Sequence, residues 1–245
     1  MSEKSRQISY TNILELLDSE PGKIHKITVA NKTLSRRLLL IIKKAKEKGV
    51  HVQRIDKRIF EKRYKNYRDI YIEISDISYR SEENFIKENN NFRTVFLFDG
   101  VEDPRNLGAI VRSLYFFGID AVVVPKKRSA PLKETAIRAS SGALFKFQPY
   151  RISSIVKAID ILKEKGFKIY GADVSANKNL LEEKFEGRTA IVFGQEGKGI
   201  SSDVKRKIGL FIKIKSKNDF ESLNLSVSSS IFAFYLTNIQ HFSSK

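Results

Sequence analysis

The 245-residue sequence contains no cysteine and only three histidines. The lack of cysteine excludes disulfide bonds and thiolate metal sites, and three scattered histidines argue against a zinc centre. No apolar run approaches the roughly 18–20 residues that cross a bilayer. The first ten residues, MSEKSRQISY, lack the apolar stretch of a signal peptide. We therefore expect a soluble cytoplasmic protein with neither a metal ion nor a membrane segment.

Acidic residues are scarce relative to basic ones: 28 Asp and Glu against 45 Lys and Arg, for a net charge of +17. Between Lys23 and Arg68 there are sixteen basic residues and only three acidic ones. Such a concentration attracts polyanions through Coulomb attraction and counterion release. A simply solvated surface is the alternative, and a membrane surface is disfavoured because the charges are spread over several elements. The charge therefore favours RNA or DNA as a partner.

Hydrophobic spacing predicts a small α/β domain over residues 1–80. Its expected elements are a helix at Thr11–Leu17, a strand at His25–Ala30, a helix at Thr33–Lys48, and strands at Val50–Ile55 and Ile70–Ile74. Residues 81–93, SEENFIKENNNFR, are polar and include three consecutive asparagines. We expect this segment to be a linker that contributes nothing to a core.

Strands and helices alternate over residues 94–245. Strands are expected at Thr94–Phe98, Ala121–Val124, Leu144–Phe147, Lys168–Ala172, Thr189–Phe193 and Leu210–Ile214, and helices at Leu107–Phe117, Ile152–Lys165 and Leu223–Ile239. Runs such as TVFLF, AVVV and AIVF are apolar on both faces, which is typical of strands covered by helices on each side. The pattern predicts a mostly parallel, doubly wound α/β sheet, whose ligands bind at the carboxyl ends of the strands.

The first notable strand-end loop, FDGVEDPRNLGAIVRSLYFFG, spans residues 98–118. Asn106 opens a helix there, and it is either a helix cap or a ligand-binding amide. Arg112 follows six residues later and is either a surface arginine or a residue that reaches back toward a phosphate. Gly108 allows close approach of the backbone.

Two further strand-end loops also carry polar residues that have either a structural or a functional role. In IVFGQEGKGIS, residues 191–201, three glycines surround Glu196, which is either a solvated acid or part of a site. The spacing differs from the phosphate-binding loop and from the dinucleotide fingerprint. In residues 211–236, Ser222 and Asn224 precede the last helix, and both are good capping residues. Together the loops place two amides, a guanidinium and a carboxylate at one sheet edge, a set suited to orienting a hydroxyl group and a cationic methyl donor.

The segments DPRNLGAIVRSLYFFG, IVFGQEGKGIS and SLNLSVSSSI resemble, in this order, the three signature motifs of the SpoU (TrmH-like) branch of the SPOUT RNA methyltransferases. SAPLKETAIRASSGAL, residues 129–144, resembles the segment that follows the first motif. The basic N-terminal unit is similar, more loosely, to the RNA-binding domain of RlmB-type 23S ribosomal RNA methyltransferases. This resemblance implies three domains or segments: an RNA-binding domain at 1–80, a linker at 81–93 and a catalytic domain at 94–245.

The resemblance also implies a deep trefoil knot in the catalytic domain, a homodimer with the active site near its interface, and S-adenosylmethionine as methyl donor. The implied catalytic residues are Asn106, Arg112, Glu196, Ser222 and Asn224. The implied cofactor-binding residues, which act largely through their backbone, are Gly194, Ile214 and Leu223.

The implied reaction is attack of a ribose 2′-oxygen on the sulfonium methyl group of the donor. Arg112 would bind the adjacent phosphate and stabilise the developing charge, since arginine, with a pKa above ~12, is a very poor base. Asn106 would position the ribose or Arg112, and Glu196 would orient Arg112 or Asn224.

The sequence departs from the family at two places. Lys215 and Ser216 stand where a Pro-Met pair is usual, and Tyr10, Thr11 and Asn12 stand where RlmB-type proteins have a Gly-His pair. Structured RNA, with 23S ribosomal RNA favoured, is the expected substrate. The alternatives are the same chemistry on transfer RNA, or a non-catalytic RNA-binding or ribosome-assembly factor. A dinucleotide-dependent enzyme is disfavoured by the glycine spacing.

Overall fold

The computed structural model describes residues 9–31, 34–65, 67–218 and 222–239. Its strands are β1 Ile24–Asn31, β2 Val52–Asp56, β3 Ile70–Ile74, β4 Thr94–Phe98, β5 Ala121–Pro125, β6 Tyr150–Ile152, β7 Lys168–Ala172, β8 Lys178–Asn179, β9 Thr189–Phe193 and β10 Leu210–Lys213. Its α-helices are α1 Tyr10–Ser19, α2 Arg36–Glu47, α3 Lys57–Arg63, α4 Glu82–Glu88, α5 Pro104–Phe116, α6 Glu134–Ala139, α7 Ala143–Lys146, α8 Ile155–Glu164, α9 Ser202–Lys205 and α10 Leu225–Phe234.

The N-terminal unit is built on a three-stranded sheet with the order β2-β1-β3. β1 runs parallel to β2 and antiparallel to β3. α1 and α2 contribute apolar side chains to the main core, with Leu16 and Leu38 fully buried. Ser9 and Ser35 cap these two helices by accepting a backbone N–H. α1 therefore begins at Tyr10, one residue before the predicted start at Thr11, and Thr33, the predicted start of the second helix, lies outside the described residues.

A short helix that the sequence analysis did not predict, α3, lies in the basic segment between β2 and β3. Asp56 caps it by accepting the backbone N–H groups of Arg58 and Ile59. Its buried Phe60 packs beside Tyr64 in a small separate apolar cluster, at a ring-centroid distance of 5.0 Å. The helix thereby buries its aromatic side and leaves its lysines and arginines exposed.

The segment 81–93 is not the featureless linker that we expected. It contains α4, capped by Ser81, and Phe85 is fully buried against Tyr150 of β6 with ring centroids 5.6 Å apart. Phe92, the second phenylalanine of the segment, is also buried. The expectation that this segment contributes nothing to a core is therefore wrong, because two phenylalanines among its polar residues suffice to anchor it. The domain boundary itself stays a prediction.

The larger sheet has seven strands in the order β6-β5-β4-β9-β7-β10-β8, and all of its pairings are parallel. The mostly parallel α/β architecture is confirmed. Apolar clusters lie on both faces, one including α5 and α10 and the other α8. The trefoil knot stays a prediction.

The strand predicted at Leu144–Phe147 is wrong. Gly142 adopts a left-handed backbone conformation, with φ of +93°, and starts the helical turn α7. The strand at this position in the sheet, β6, begins only at Tyr150, so the next helix, α8, starts at Ile155 rather than at Ile152. A short run of buried apolar residues does not by itself distinguish a strand from a helical turn.

The two sheets share one continuous apolar core. Polar contacts reinforce this junction: the Asn12 side-chain amide donates to the Ile137 carbonyl at 3.4 Å, and Glu15 forms an ion pair with Lys146. Tyr79 donates its hydroxyl to the Ala130 carbonyl at 2.5 Å, and burial raises the pKa of Tyr79 to about 12.

Within the described ranges, each helix is too short or too polar to cross a bilayer.

Candidate active site

The three polar loops meet at the carboxyl edge of the seven-stranded sheet. The Asn106 side-chain amide donates a hydrogen bond to the Glu196 carboxylate. The Asn224 side-chain amide donates to the Asn106 side-chain oxygen at 3.2 Å. A continuous chain of hydrogen bonds, Glu196–Asn106–Asn224, therefore joins residues that are 90 and 118 positions apart in the sequence. We call these three residues the polar triad.

Helix capping explains how Asn106 becomes available to the triad. Asp103, not Asn106, caps α5, by accepting the backbone N–H of Arg105 at 2.7 Å. Asn106 lies one residue further into the first turn, and its side chain is free to reach across to the other loops. Interpreting Asn106 as a helix cap is therefore wrong.

Asn224, by contrast, is both a cap and a member of the triad. Its side-chain oxygen accepts the Ser226 backbone N–H at 2.9 Å and the Ser226 hydroxyl at 2.6 Å. Its side-chain nitrogen is thereby fixed in the direction of Asn106. The cap orients the amide, so the structural and the functional interpretations of Asn224 are compatible.

The glycine-rich loop after β9 forms a tight turn. Gln195 and Gly199 exchange backbone hydrogen bonds at 2.9 and 3.0 Å. Gly197 and Gly199 have φ values of +70° and +68°, which favour glycine. A Cβ atom at Gly194 would lie only 2.2 Å from the Gly199 carbonyl carbon. These glycines hold Glu196 at the exposed tip of the turn, where it meets Asn106.

A cavity of about 1030 Å³ opens beside the triad, over the carboxyl ends of β7, β9 and β10. The three residues predicted to bind the cofactor all line it: Gly194, Ile214 and Leu223. Glu196 and Ser222 from the predicted catalytic set line it as well. Asn106, Arg112 and Asn224 are not among the lining residues, so the triad stands at the border of the cavity.

Asp173 is a cavity residue that the sequence analysis missed. Burial disfavours its ionisation, but hydrogen bonds from Lys205, at 2.7 Å, and from Ser175 outweigh burial and lower the pKa of Asp173. It follows the apolar strand β7 directly. The strand-end rule that singled out Asn106 and Glu196 applies equally to this position.

The loop at Lys215 and Ser216, where a Pro-Met pair is usual in the family, is restrained by hydrogen bonds. The Ser216 hydroxyl donates to the Asn218 carbonyl at 2.6 Å, and the Asn218 backbone N–H donates to the Ser216 hydroxyl oxygen at 3.2 Å. These bonds restrain the turn that a proline would otherwise stiffen. Lys215 lines the cavity beside Ser216.

Arg112 stands apart from the triad. It is exposed on α5 and forms no hydrogen bond or ion pair with another residue in the described part of this chain. Glu196 therefore contacts Asn106 rather than Arg112, and it reaches Asn224 only through Asn106.

Among the residues that the structure describes, no group of three or more His, Asp or Glu side chains is placed to bind a metal ion.

These features define a class: an open parallel α/β protein with a ligand cavity at the carboxyl ends of its strands and polar residues converging at the cavity border. A family model described as the SpoU rRNA methylase family matches residues 93–234. This chain belongs to that family, the SpoU or TrmH family of RNA methyltransferases.

Individual relatives agree with this membership. A Staphylococcus haemolyticus protein, provisionally assigned to the TrmH family of tRNA/rRNA methyltransferases, is 32% identical over 222 residues, which cover 89% of each chain. The SpoU methyltransferase AviRb from Streptomyces viridochromogenes, solved in complex with AdoMet, superposes with a TM-score of 0.74 at 16% identity, covering 97% of this chain and 90% of AviRb. A structure described as an RNA 2′-O ribose methyltransferase gives a TM-score of 0.73 at 19% identity, covering 96% and 88%. The two structures support the fold.

Proposed function

We propose that this protein transfers the methyl group of S-adenosylmethionine to a ribose 2′-hydroxyl of structured RNA, with large-subunit ribosomal RNA as the favoured substrate. The observation that carries the proposal is the polar triad at the border of a cavity lined by Gly194, Ile214 and Leu223. Family membership and the AdoMet-bound neighbour AviRb support the same chemistry.

The cavity suits S-adenosylmethionine in size and in lining. Its volume is at the upper end of the ~300–1000 Å³ typical of small-molecule sites. Apolar residues for an adenine ring and glycine backbone for close approach both line it, including Phe193, Ile212 and Gly194. The Glu196 carboxylate offers negative charge to a cationic donor. When bound there, S-adenosylmethionine would supply an electrophilic methyl group.

In the proposed reaction the ribose 2′-oxygen bonds to the methyl carbon as the carbon–sulfur bond breaks. The electron pair of that bond stays on sulfur, giving S-adenosylhomocysteine, and the hydroxyl proton passes to solvent. The polar triad orients the reacting hydroxyl: Glu196 fixes Asn106, and Asn106 fixes Asn224. Positioning of this kind, rather than strong acid–base chemistry, is what amides provide.

Arg112 supplies positive charge for the developing alkoxide and for a neighbouring phosphate. Its exposure, without a partner among the described residues, leaves the guanidinium free for an anion. Because the residue stands outside the triad within its own subunit, we place it at a subunit contact, where it completes a site together with RNA and the partner.

We propose that the contact is a two-fold homodimer through α5 and α10. A groove between these helices is lined by Ser113, Phe117, Ser226, Val227, Ser230, Ile231 and Phe234. Exposed apolar residues surround it: Phe116 is 81% exposed and Val227 is 45% exposed. Contiguous apolar surface of this kind marks an interaction site, and the small serines permit close helix approach. Ser113 of the groove follows Arg112 directly, so a second copy seated here lies beside Arg112.

Light scattering on the purified protein tests the dimer. Val227→Glu places a charge in the groove and should give a monomer with reduced methylation. Leu181→Glu is the matched control, since Leu181 is 68% exposed outside this face, and it should leave the dimer intact. A wild-type monomer, or a dimeric Val227→Glu variant, contradicts the proposed interface.

The central experiment incubates the protein with S-adenosylmethionine and an unmodified large-subunit ribosomal RNA transcript, followed by nucleoside mass spectrometry. We expect a 2′-O-methylated nucleoside with wild type and its loss with Asn106→Ala, while exposed Asn90→Ala remains active. A product methylated only on the base contradicts the ribose assignment. Methylation of a transfer RNA transcript alone would replace the favoured substrate with the alternative one.

A further inference from the structure

The loop after β5, Lys126–Lys127–Arg128, borders the candidate active site on the side away from the cavity. In the sheet order, β5 is the neighbour of β4, and β4 leads into α5, whose first turn carries Asn106. The Val101 backbone N–H donates to the Arg128 carbonyl at 2.9 Å, and the Ala130 N–H donates to the Val101 carbonyl at 2.7 Å. The two loops are thereby joined in a short stretch of parallel pairing. All three basic residues are exposed.

A buried carboxylate holds Arg128 in place. Asp99 follows β4 directly, and its side chain is only 1% exposed. It accepts a hydrogen bond from the Arg128 guanidinium at 3.2 Å and another from the Ser201 backbone N–H at 2.8 Å. Ser201 ends the glycine-rich loop. One buried acid therefore links the arginine to the loop that carries Glu196.

Arg128 and that loop both lie close to Gly100. A Cβ atom at Gly100 would lie 2.8 Å from the Gln195 Cγ atom and 3.3 Å from the Arg128 Cβ atom, so these side chains crowd around Gly100. Arg128 itself has a φ of +65°, a conformation that arginine rarely adopts. Neighbouring residues therefore hold Arg128 in an unfavourable backbone conformation. Gln195, which crowds the same glycine, directly precedes Glu196.

The guanidinium keeps most of its binding capacity. Arginine has five N–H donors in a planar fork, and the hydrogen bond to Asp99 uses one of them. The Arg128 side chain is 43% exposed. A fixed, partly exposed guanidinium next to two exposed lysines matches the geometry of a phosphate group.

The proposed reaction determines which ligand approaches this side. A nucleophile attacks a sulfonium methyl group from the side opposite to the leaving sulfur. The cavity lies over β7, β9 and β10, and the polar triad lies at the β9–β4 border. An RNA strand that approaches opposite to the cavity therefore passes over the ends of β4 and β5, where Arg128 is exposed.

We propose that Arg128, held by Asp99, binds a backbone phosphate of the RNA strand that presents the reacting ribose. This inference rests on the proposed function, because it takes RNA as the substrate and the cavity as the donor site. It assigns to Arg128 a contact with substrate that is separate from the charge stabilisation assigned to Arg112.

The test compares Arg128→Gln with Arg206→Gln, which removes an exposed arginine charge at the C-terminal end of α9. The probe is the large-subunit ribosomal RNA transcript, measured by filter binding at several salt concentrations and by steady-state methylation. For Arg128→Gln we expect RNA affinity to fall about tenfold, the slope of log affinity against log salt to decrease by about one, and kcat to stay within about twofold. The affinity for S-adenosylmethionine, measured by calorimetry, should not change.

A second variant, Arg128→Gly, removes the side chain while suiting the left-handed backbone, and it should show the same RNA defect in a stably folded protein. RNA affinity and salt slope equal to those of Arg206→Gln would overturn the inference. So would a loss of donor affinity or of thermal stability without any RNA-specific defect, since this is what a purely structural Asp99–Arg128 pair predicts. If wild type transfers no methyl group, the proposed function fails by itself, and the filter-binding comparison still tests Arg128.

Discussion

The basic helix α3 of the N-terminal unit and the carboxyl edge of the seven-stranded sheet differ in how their polar side chains are held. On α3 the lysines and arginines are exposed, and the ion pair between Lys57 and Glu61 is itself exposed. At the sheet edge, Asn106, Glu196 and Asn224 bind one another, and helix caps and tight glycine turns fix their directions. The exposed charges of α3 would each add a weak electrostatic contribution to RNA binding. The function of the polar triad depends instead on the position of each of its groups.

This difference predicts how substitutions act in the two regions. Removing one charge from a dispersed surface weakens binding modestly and in a salt-dependent way. Removing one group from an organised site removes transition-state stabilisation that no neighbour can replace.

Replacing Arg112 by Ala should lower kcat by at least ~10²–10³-fold, the loss typical of removing one charge-stabilising donor. Affinity for S-adenosylmethionine should be unchanged, because Arg112 does not line the cavity. Radiolabelled methyl transfer and calorimetry measure the two quantities. Arg112→Lys, which keeps the charge without the planar fork, should recover part of the rate. Wild-type turnover in Arg112→Ala would remove Arg112 from the catalytic set.

Replacing Gly194 by Ala should open the glycine-rich loop, because the added methyl group would overlap the backbone of Gly199 and Ile200. We expect affinity for S-adenosylmethionine to fall at least ~10-fold and the free energy of unfolding to fall by about 1–3 kcal/mol. Gly209→Ala is the matched control, since no atom lies within 4 Å of the added carbon there. Calorimetry and denaturant titration report the two effects. Equal donor affinity in both variants would show that this loop does not form the donor site.

The double change Lys62→Gln and Arg63→Gln on α3 should lower RNA affinity by only a few-fold per residue and reduce the salt slope by about one for each lost phosphate contact. The value of kcat should not change, because α3 packs on the three-stranded N-terminal sheet and not on the polar triad. Lys163→Gln with Lys165→Gln removes the same charge from the end of α8 and serves as the control. If the α3 variant instead lowers kcat at saturating RNA, the proposed separation between the two regions is wrong.

Glu82→Gln should have the smallest effect, and only on stability. A hydrogen bond from Lys157, followed by hydrogen bonds from Ser153, lowers the pKa of Glu82 to about 2. Because the pKa is depressed in the folded state, the ionised Glu82 carboxylate stabilises the fold above the unfolded pKa of about 4.3, and this stabilisation is lost as the pH falls toward 2. The exposure of Lys157 limits the contribution to the free energy of unfolding to about 1 kcal/mol.

Denaturant titration at several pH values checks this prediction. The stability difference between wild type and Glu82→Gln should be largest at pH 6 and should disappear near pH 2. A difference that does not depend on pH would show that the ionised carboxylate is not the origin of the effect.

The parallel sheet and the meeting of the polar loops at its carboxyl edge followed from the sequence, because apolar strands end in polar loops and the ends of parallel strands meet at one edge. The contact between Asn106 and Glu196 did not follow, since it depends on Asp103 taking the role of helix cap. The helical turn at 143–146 was mistaken for a strand because four consecutive residues carry no periodicity. The packing of Phe85 was missed because polar neighbours dominate its segment. The packing of Phe85 on Tyr150 is a long-range contact, whereas the Asp103 cap and the left-handed turn at Gly142 are local features.

A map of 2′-O-methylation in cellular RNA, with and without the gene, tests the proposed function of this protein in the cell. We expect one ribose of large-subunit ribosomal RNA to lose its methyl group in the deletion strain. Wild type should restore this mark, and Arg112→Ala should not. If no ribose loses its mark, or if Arg112→Ala restores it fully, the protein is not the proposed RNA 2′-O-methyltransferase that acts through this site.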